Sequence, residues 1–324
     1  MKRGCYTLIS ELRAMKSKTI ITVKYLFKRL VQSPLLLGWI IVGTIIEIIH
    51  SGYHGFIITF INLILLALFT VIIKIMTNNQ PIKFIPKLKH SRLELFSGVI
   101  LLILIFIAIS IVSKQVEIPY ISSGILNLLT SMGDSISKLD KIGIPEWILP
   151  ILTNASIVAV LMLIPTIVLF LFWGYGFRSM GFIFSNLPLT LVLLGVTIIL
   201  GLPTKILLQQ PFDKIILTFF ISIFINGLPE ELIMRGYLLP RLEVVLKNPI
   251  NALVITAILF NMGHIPSELA RGMSIYQASL FSFSIVYPSG LIWGYLYLKT
   301  RSIVPGVIWH TSNAIIGVIF IGIS

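Results

Sequence analysis

The chain has 324 residues, of which 56% are hydrophobic and only 11% are charged, and its mean hydropathy is +1.00. About a quarter of the residues of a soluble domain are charged, so this composition excludes an ordinary soluble protein. The net charge of +13 would suit a nucleic-acid partner, but the basic residues do not cluster with interleaved aromatic residues. We therefore expect a membrane protein that binds no nucleic acid.

Apolar windows close to the length that crosses a bilayer recur along the chain. Backbone groups in lipid must be paired internally, and apolar spans between charged turns satisfy this as helices. The predicted fold class is all-α, a polytopic membrane helical bundle with about eight or nine transmembrane helices. Three windows are short, so the count is kept at eight or nine. The candidate windows are 34–49, 56–76, 95–113, 147–173, 187–203, 215–226, 249–264, 276–298 and 303–321.

The basic residues indicate a topology. With the N-terminus in the cytoplasm, most of the 25 Lys and Arg residues fall on the inner side, as the positive-inside rule requires. We predict a multi-pass protein of the cell membrane with a cytoplasmic N-terminus and the loop 114–146 outside. The predicted divisions are a basic cytoplasmic or interfacial segment at 1–33, an N-terminal transmembrane section at 34–145, and a section at 146–324 that carries the unusual polar residues.

Two adjacent glutamates stand in "GLPEELIMRGYLLPRL", directly after an apolar run. Burying a carboxylate at membrane depth costs about 2.5–3.5 kcal/mol on insertion scales, so such residues usually have a task or a partner. Gly227 and Pro229 predict a break in the helix, which would put Glu230 and Glu231 near the N-terminus of a new helix. Only Glu47 is otherwise expected inside or against an apolar span, and we interpret it as structural.

Glu230 and Glu231 cannot do the same job, because successive helical residues point about 100° apart. Glu231 and Arg235 have the i,i+4 spacing that favours an ion pair on one helix face. That pair leaves Glu230 to face another helix, where a carboxylate can serve as a general base. The alternative is a purely structural ion network of the three residues.

A histidine in a later apolar span, in "LFNMGHIP", is a candidate partner of Glu230. If the chain turns near Asn248, Glu230 and His264 are nearly level across an antiparallel helical hairpin. Phe260 precedes His264 by four residues, so its ring is expected to wall the same site. A base and a histidine placed together are two parts that a peptide hydrolase needs.

A second histidine, in "GVIWHTSNA", supplies the remaining part. His310 and Asn313 share a helix face at i,i+3, and an imidazole with an amide can donate hydrogen bonds to a developing oxyanion. Gly290 and Gly294, one turn apart in the preceding span, predict close helix packing.

Together these motifs resemble a known family. The patterns E-E-x-x-x-R (Glu230, Glu231, Arg235), F-x-x-x-H (Phe260, His264) and the late His–Asn pair are similar to those of the CAAX prenyl protease and bacteriocin-processing (Abi, CPBP) intramembrane endopeptidases. The stretch "GLIWGYLYLKTRSIVPGVIWH" also looks like that family's third and fourth helices. The resemblance covers roughly 215–324 and implies that 146–324 is a CAAX-protease-like domain.

The resemblance implies a role for each residue. Glu230 and His264 would activate a water that attacks the scissile carbonyl, His310 and Asn313 would form the oxyanion hole, and Glu231 with Arg235 would brace the helix. The family usually places Asn or Asp four residues after the last histidine, where this chain has Ala314. No cofactor is expected: zinc, for which two histidines and a glutamate are a possible ligand set, is not favoured.

The implied activity is endoproteolysis of membrane-associated or lipidated peptides, in bacteriocin or pheromone maturation or in self-immunity. Two other functions use the same buried polar residues. Intramembrane carboxylates and histidines build the proton relays of transporters, although no inverted repeat is evident here. A non-catalytic membrane scaffold is the third interpretation.

Overall fold

The structure is a computed structural model that describes residues 33–78, 88–113, 121–184, 186–207, 211–284 and 288–316. Within these ranges every regular element is a helix and there is no strand, which confirms the all-α class. Apart from Ser33, the predicted basic segment 1–33 lies outside the described residues. The side chains of 142, 200–207 and 313–316 are likewise outside the description.

The helices are numbered in chain order. They are α1 (Pro34–Thr77), α2 (Ser91–Val112), α3 (Ile121–Ser137), α4 (Glu146–Phe172), α5 (Leu187–Leu207), α6 (Phe212–Leu246), α7 (Pro249–Met262), α8 (Ile265–Ala270), α9 (Ile275–Phe283), α10 (Ser289–Thr300) and α11 (Val304–Ile316).

Five helical stretches of the described chain are long and apolar enough to cross a membrane: α1, α2, α4, α6 and the run Pro249–Ala270 that joins α7 to α8. The protein is therefore a multi-pass membrane protein. The predicted count of eight or nine spans, the cytoplasmic N-terminus and the division into three sections stay predictions.

Helix α1 contains the first two predicted windows and reverses between them. Gly52 has φ 58° and ψ −138°, a backbone conformation that suits glycine. A Cβ on Gly55 would lie 3.0 Å from the carbonyl carbon of Glu47, whereas eight residues of straight helix span about 12 Å. The chain must therefore turn back on itself here. Glu47 is buried at this turn and accepts a hydrogen bond from the Ser51 hydroxyl at 3.2 Å.

The expected helix break at Gly227 and Pro229 is wrong. Gly227 is helical, with φ −61° and ψ −57°, and α6 runs unbroken through both residues. π-helical turns lie at Ile223–Gly227 and Leu232–Leu238, each ending two residues before a proline. The same pattern occurs in α4, where the π-helical turn Ala159–Leu163 ends two residues before a proline.

These π-helical turns explain why proline does not end the helices. Proline has no N–H to donate to the preceding turn, and a π-helical turn shifts the hydrogen bonding by one residue so that the helix continues. The two glutamates of α6 consequently lie inside a continuous helix rather than at an exposed N-terminus.

The predicted outer loop 114–146 is also more ordered than expected. It contains helix α3 (Ile121–Ser137) and the 3₁₀ turn Lys138–Ile142. Its mixture of Ser, Gly and charged residues indicated a loop, but α3 packs against α2 and α4, and that packing outweighs the weak local propensity.

The helices of the second half of the chain surround the candidate site. Helix α11 packs against α5 and α6, while α7 packs between α6 and α10. A Cβ on Gly290 would lie 3.2 Å from the Cα of Ala257, and a Cβ on Gly294 would collide with the side chain of Leu253. The close helix packing predicted for these two glycines is thus confirmed.

The N-terminal helices are packed onto this group rather than set apart from it. Helix α1 contacts α7, α9 and α10, and α2 contacts α6 and α8. The indole N–H of Trp39 on α1 donates to the carbonyl of Phe283 on α9 at 2.9 Å. The candidate site therefore has walls from both halves of the chain.

Candidate active site

A cavity of about 370 Å³ lies between α2, α4, α6 and α7. Its polar lining includes Glu230, His264 and Ser267, and most of the remaining lining is apolar. Apolar clefts with a few convergent polar groups are typical of ligand and substrate sites. The two residues proposed from sequence as a base and its histidine partner therefore face the same cavity.

The i,i+4 pair of α6 forms as predicted. Arg235 Nη1 lies 2.8 Å from Glu231 Oε1, and both side chains are buried, at 0% and 1% exposure. Arg235 Nη2 also donates to the carbonyl of Gly290 on α10 at 3.1 Å. Its guanidinium lies 4.8 Å from the ring centre of Phe260 on α7. Arg235 thereby fixes α6 to both α10 and α7.

His310 on α11 lies between the two glutamates. Its Nδ1 is 3.3 Å from Glu231 Oε1, and its Nε2 is 3.6 Å from Glu230 Oε2. The ring stacks on Trp293 of α10 with centroids 3.8 Å apart and planes at 20°. Nδ1 is thus within hydrogen-bonding distance of Glu231, and Nε2 faces Glu230.

Glu230 differs from Glu231 in its surroundings. Its side chain is 19% exposed against 1% for Glu231, and it lines the cavity, which Glu231 does not; Oε2 of each accepts no hydrogen bond within the described part of the chain. No arginine or lysine of the described residues forms an ion pair with it. A carboxylate with a free oxygen beside an apolar cavity is placed to take a proton from a water or a substrate.

Phe260 and His264 share the wall of the cavity, as their spacing predicts. Their ring centroids are 5.0 Å apart and nearly perpendicular, at 87°. Asn248 caps the start of α7 by accepting hydrogen bonds from the backbone of Ile250 and Asn251. This is the turn that brings Glu230 and His264 together across the α6–α7 hairpin.

Asn313 lies on α11, three residues after His310, but its side chain is outside the described part of the structure. The oxyanion role assigned to it by resemblance stays a prediction. The roles of the other predicted residues likewise stay predictions.

Two glycines let α11 approach the glutamates closely. A Cβ on Gly306 would lie 2.9 Å from Glu231 Oε2, and one on Gly227 would lie 2.8 Å from the carbonyl oxygen of Val307. Real Cβ atoms essentially never approach so near, so any larger residue would push the two helices apart. The absence of these side chains allows His310 to reach between Glu230 and Glu231.

The described residues do not offer a ready set of zinc ligands. Among the described residues, no group of three His, Cys, Asp or Glu side chains is arranged to hold a metal ion. Glu231 and His310 are already engaged with each other, and the Arg235 guanidinium lies beside them. The absence of a metal stays a prediction that a chelator can test.

Sequence reasoning missed a second buried charge network on the same helix. Arg241 Nη2 lies 2.9 Å from Glu94 Oε2, and these side chains are 1% and 0% exposed. The expectation that only three acidic residues lie in or against apolar spans was therefore wrong. Glu94 stands in the first turn of α2, directly before the window 95–113, and that position was the available signal.

Glu94 is fully supplied with partners. Its Oε1 accepts hydrogen bonds from the backbone N–H groups of Lys89 and His90 and from the hydroxyl of Tyr175 at 2.7 Å. Burial, reinforced by that hydrogen bond, raises the pKa of Tyr175 to about 12, so its hydroxyl remains a donor at physiological pH. Arg241 also lies 3.7 Å over the ring of Tyr237.

Residues 212–316 match the family model Rce1-like, described as type II CAAX prenyl endopeptidase Rce1-like. This confirms the family resemblance for that part of the chain. The match covers about a third of the protein and contains the glutamates, both histidines and Arg235.

The Rce1-like family is a protease family, so the match supports a peptidase and does not favour a transporter or a scaffold. No curated protein and no solved structure matches the chain.

Proposed function

We propose that this protein is an intramembrane endopeptidase that hydrolyses peptide bonds with a water activated by Glu230 and His264. The observation that carries the proposal is that Glu230, with an unbonded carboxylate oxygen, and His264 line the same mainly apolar cavity. Each belongs to the segment that matches a protease family.

In the proposed reaction the substrate's scissile carbonyl lies in the cavity beside a water held by Glu230 and His264. Glu230 takes one proton as the water oxygen bonds to the carbonyl carbon, giving a tetrahedral intermediate with a negative oxygen. The proton then passes to the amide nitrogen, the C–N bond breaks, and an amine and a carboxylic acid leave. Glu230 ends the cycle ionised, as it began.

His310 is proposed to stabilise the negative oxygen of the intermediate. Glu231 and the Trp293 stack hold its ring in one orientation, with Nε2 toward Glu230. When Nε2 carries a proton it can donate to the oxyanion without moving, and preorganised donors of this kind contribute strongly to catalysis. We assign Asn313 to the same task as a second donor.

The proposed substrates are membrane-associated or lipidated peptides, with precursors of bacteriocins or pheromones as the leading class. A site in a multi-pass membrane protein with an apolar cavity suits a substrate that partitions into the bilayer. Glu231 and Arg235 serve as positioning residues, because Glu231 contacts His310, Arg235 contacts the neighbouring helices, and neither lines the cavity.

The test is peptide cleavage by the purified full-length protein in detergent, followed by mass spectrometry of the products. Wild type is compared with Glu230→Ala, each with and without a chelator, against a library of membrane and lipidated peptides. We expect cleavage by wild type in the presence of the chelator and none by Glu230→Ala.

Other results would change the proposal in defined ways. Activity that the chelator removes and zinc restores would replace the metal-independent mechanism with a zinc-dependent one. Equal cleavage by the two proteins would remove Glu230 from the mechanism. An absence of cleavage by wild type across the library would contradict the peptidase assignment.

A further inference from the structure

One wall of the cavity comes from outside the segment that matches the protease family. Ile105, Phe106 and Ile109 of α2 line it, and Met162 of α4 lies beside them. The groups proposed for catalysis lie on α6, on α11 and at the end of α7, within residues 212–316. Catalysis and the shape of the cavity are thus supplied by different parts of the chain.

The chemistry of this wall indicates what it accepts. Most of the cavity surface is apolar, and three methionines line it: Met162, Met234 and Met262. Methionine is flexible and polarizable, so a surface rich in it adapts to apolar groups of different shapes. The cavity therefore selects its occupant by apolarity and size more than by one particular shape.

The dimensions of the wall favour a side chain over a long lipid chain. From Leu102 to Ile109 the α2 wall extends seven residues, or about 10 Å along the helix. At about 370 Å³ the cavity is near the lower end of the usual range for ligand pockets. Both measures match one large side chain with its neighbouring backbone.

The helix that supplies this wall is joined to α6 near its start. The buried pair of Glu94 on α2 and Arg241 on α6 is 2.9 Å apart, and the Tyr237 hydroxyl donates to the Glu94 carbonyl at 3.0 Å. These contacts tie α2 to the helix that carries Glu230.

We propose that this cavity receives a large apolar side chain of the peptide substrate, adjacent to the hydrolysed bond, and that Phe106 and Ile109 of α2 determine its size. The proposal rests on the proposed peptidase function for its link to cleavage. Glu230 and His264 line the same cavity, so a side chain seated there holds its own backbone within their reach.

The experiment uses full-length protein and two peptide series: in one a single position is Ala, Leu, Phe, Trp or Asp, and in the other the peptide carries an alkyl chain of increasing length. Cleavage is measured as kcat/KM, and binding of fluorescein-labelled peptides is measured separately on Glu230→Gln, with and without the α2 changes. Phe106→Ala enlarges the cavity and Ile109→Trp fills it. Phe96→Ala is the matched control, because Phe96 lies on the same helix, is 64% exposed and is not part of the cavity lining.

We expect wild type to favour Leu and Phe over Asp at one position. Phe106→Ala should raise the preference for Trp over Leu about tenfold. Ile109→Trp should shift the preference by a similar factor in the opposite direction, toward Ala. Phe96→Ala should leave the profile as in wild type. The same order of preference should appear in binding to Glu230→Gln.

Failure of this inference is distinguishable from failure of the proposed function. Glu230-dependent cleavage with a profile that the α2 variants do not move would overturn the inference alone. If the binding preferences shift as expected but wild type cleaves no peptide, the cavity still receives an apolar side chain and the proposed peptidase function is wrong. If only an alkyl chain attached to the peptide responds to Phe106→Ala, the occupant is a lipid chain and the side-chain assignment is wrong.

Discussion

Two buried charge networks lie six residues apart on α6, and they differ in one respect. Each has a fully buried Arg–Glu ion pair, Arg235 with Glu231 at 2.8 Å and Arg241 with Glu94 at 2.9 Å, and each arginine lies over aromatic rings. Only the first has an additional carboxylate, Glu230, that faces a cavity. A buried ion network by itself does not identify a reactive site.

The difference shows how one helix can carry both kinds of site. In the Glu94–Arg241 network every carboxylate oxygen has a partner, so the network joins α2 to α6 and leaves nothing to react. In the other, Glu231 pairs with the arginine, while Glu230 has no arginine partner among the described residues and faces both His310 and the cavity. We propose that the adjacent glutamates separate a structural task, held by Glu231, from a chemical one, held by Glu230.

After the loss of cleavage expected for Glu230→Gln, the largest effect is expected at His264, which lines the cavity with Glu230. His264→Ala should lower kcat by about 10²–10⁴-fold, the range that a positioned acid–base group contributes. His54→Ala is the control, because His54 is exposed on α1 and away from the cavity. Steady-state cleavage of a membrane peptide measures both. Comparable rates for the two variants would remove His264 from the mechanism.

The next effect is on stability alone. Arg241→Met leaves Glu94 buried without its cation and should lower the free energy of unfolding by about 3–5 kcal/mol, as breaking a buried pair does. The kcat of the folded protein should not change, since Arg241 does not line the cavity. A denaturing-detergent titration followed by an activity assay gives both quantities.

Adding Glu94→Gln to Arg241→Met should recover part of that stability, because it removes the uncompensated charge. If the double variant were no more stable than Arg241→Met, the ion pair would not be the source of the loss. A fall in kcat for Arg241→Met would show that the two networks are not separate.

A smaller effect tests the close approach of α11. Gly306→Ala puts a Cβ about 2.9 Å from Glu231 Oε2, and overpacking of this kind costs about 1–3 kcal/mol. We expect lower stability and a lower kcat, because Glu231 orients His310. Gly195→Ala on α5 is the matched control, since its Cβ would meet nothing within 4 Å. Equal behaviour of the two alanine variants would contradict the proposed role of the glycine contact.

The smallest effect concerns the stack on His310. Trp293→Leu removes an aromatic pair worth about 0.5–1.5 kcal/mol, so kcat should fall by no more than about tenfold while KM stays the same. Trp147→Leu, a tryptophan on α4 that contacts Lys214, should change neither constant. A rise in KM without a change in kcat would make Trp293 a substrate contact instead.

Local spacing was sufficient to predict part of this site. The i,i+4 rule gave the Glu231–Arg235 pair and the shared face of Phe260 and His264, because those relations depend on one helix alone. The α6–α7 hairpin followed from a single turn at Asn248. Hydrophobicity likewise indicated an all-helical membrane protein.

Relations between distant segments could not be predicted in the same way. Glu94 and Arg241 are 147 positions apart, and no periodicity within one helix links them. The continuity of α6 through Pro229 depends on π-helical turns, which have no sequence pattern as strong as the proline that argues for a break. The placement of His310 between the two glutamates depends on how α11 packs against α6, and local spacing cannot predict packing between distant segments.

The most direct test of the account compares the two neighbouring glutamates. Glu230→Gln and Glu231→Gln make the same chemical change one residue apart, so kcat and the unfolding temperature of each can be set side by side. We predict that Glu230→Gln abolishes peptide cleavage at a nearly unchanged unfolding temperature, whereas Glu231→Gln lowers the unfolding temperature because it weakens the buried pair with Arg235. Cleavage by Glu230→Gln at the wild-type rate would contradict the assignment of Glu230 as the base.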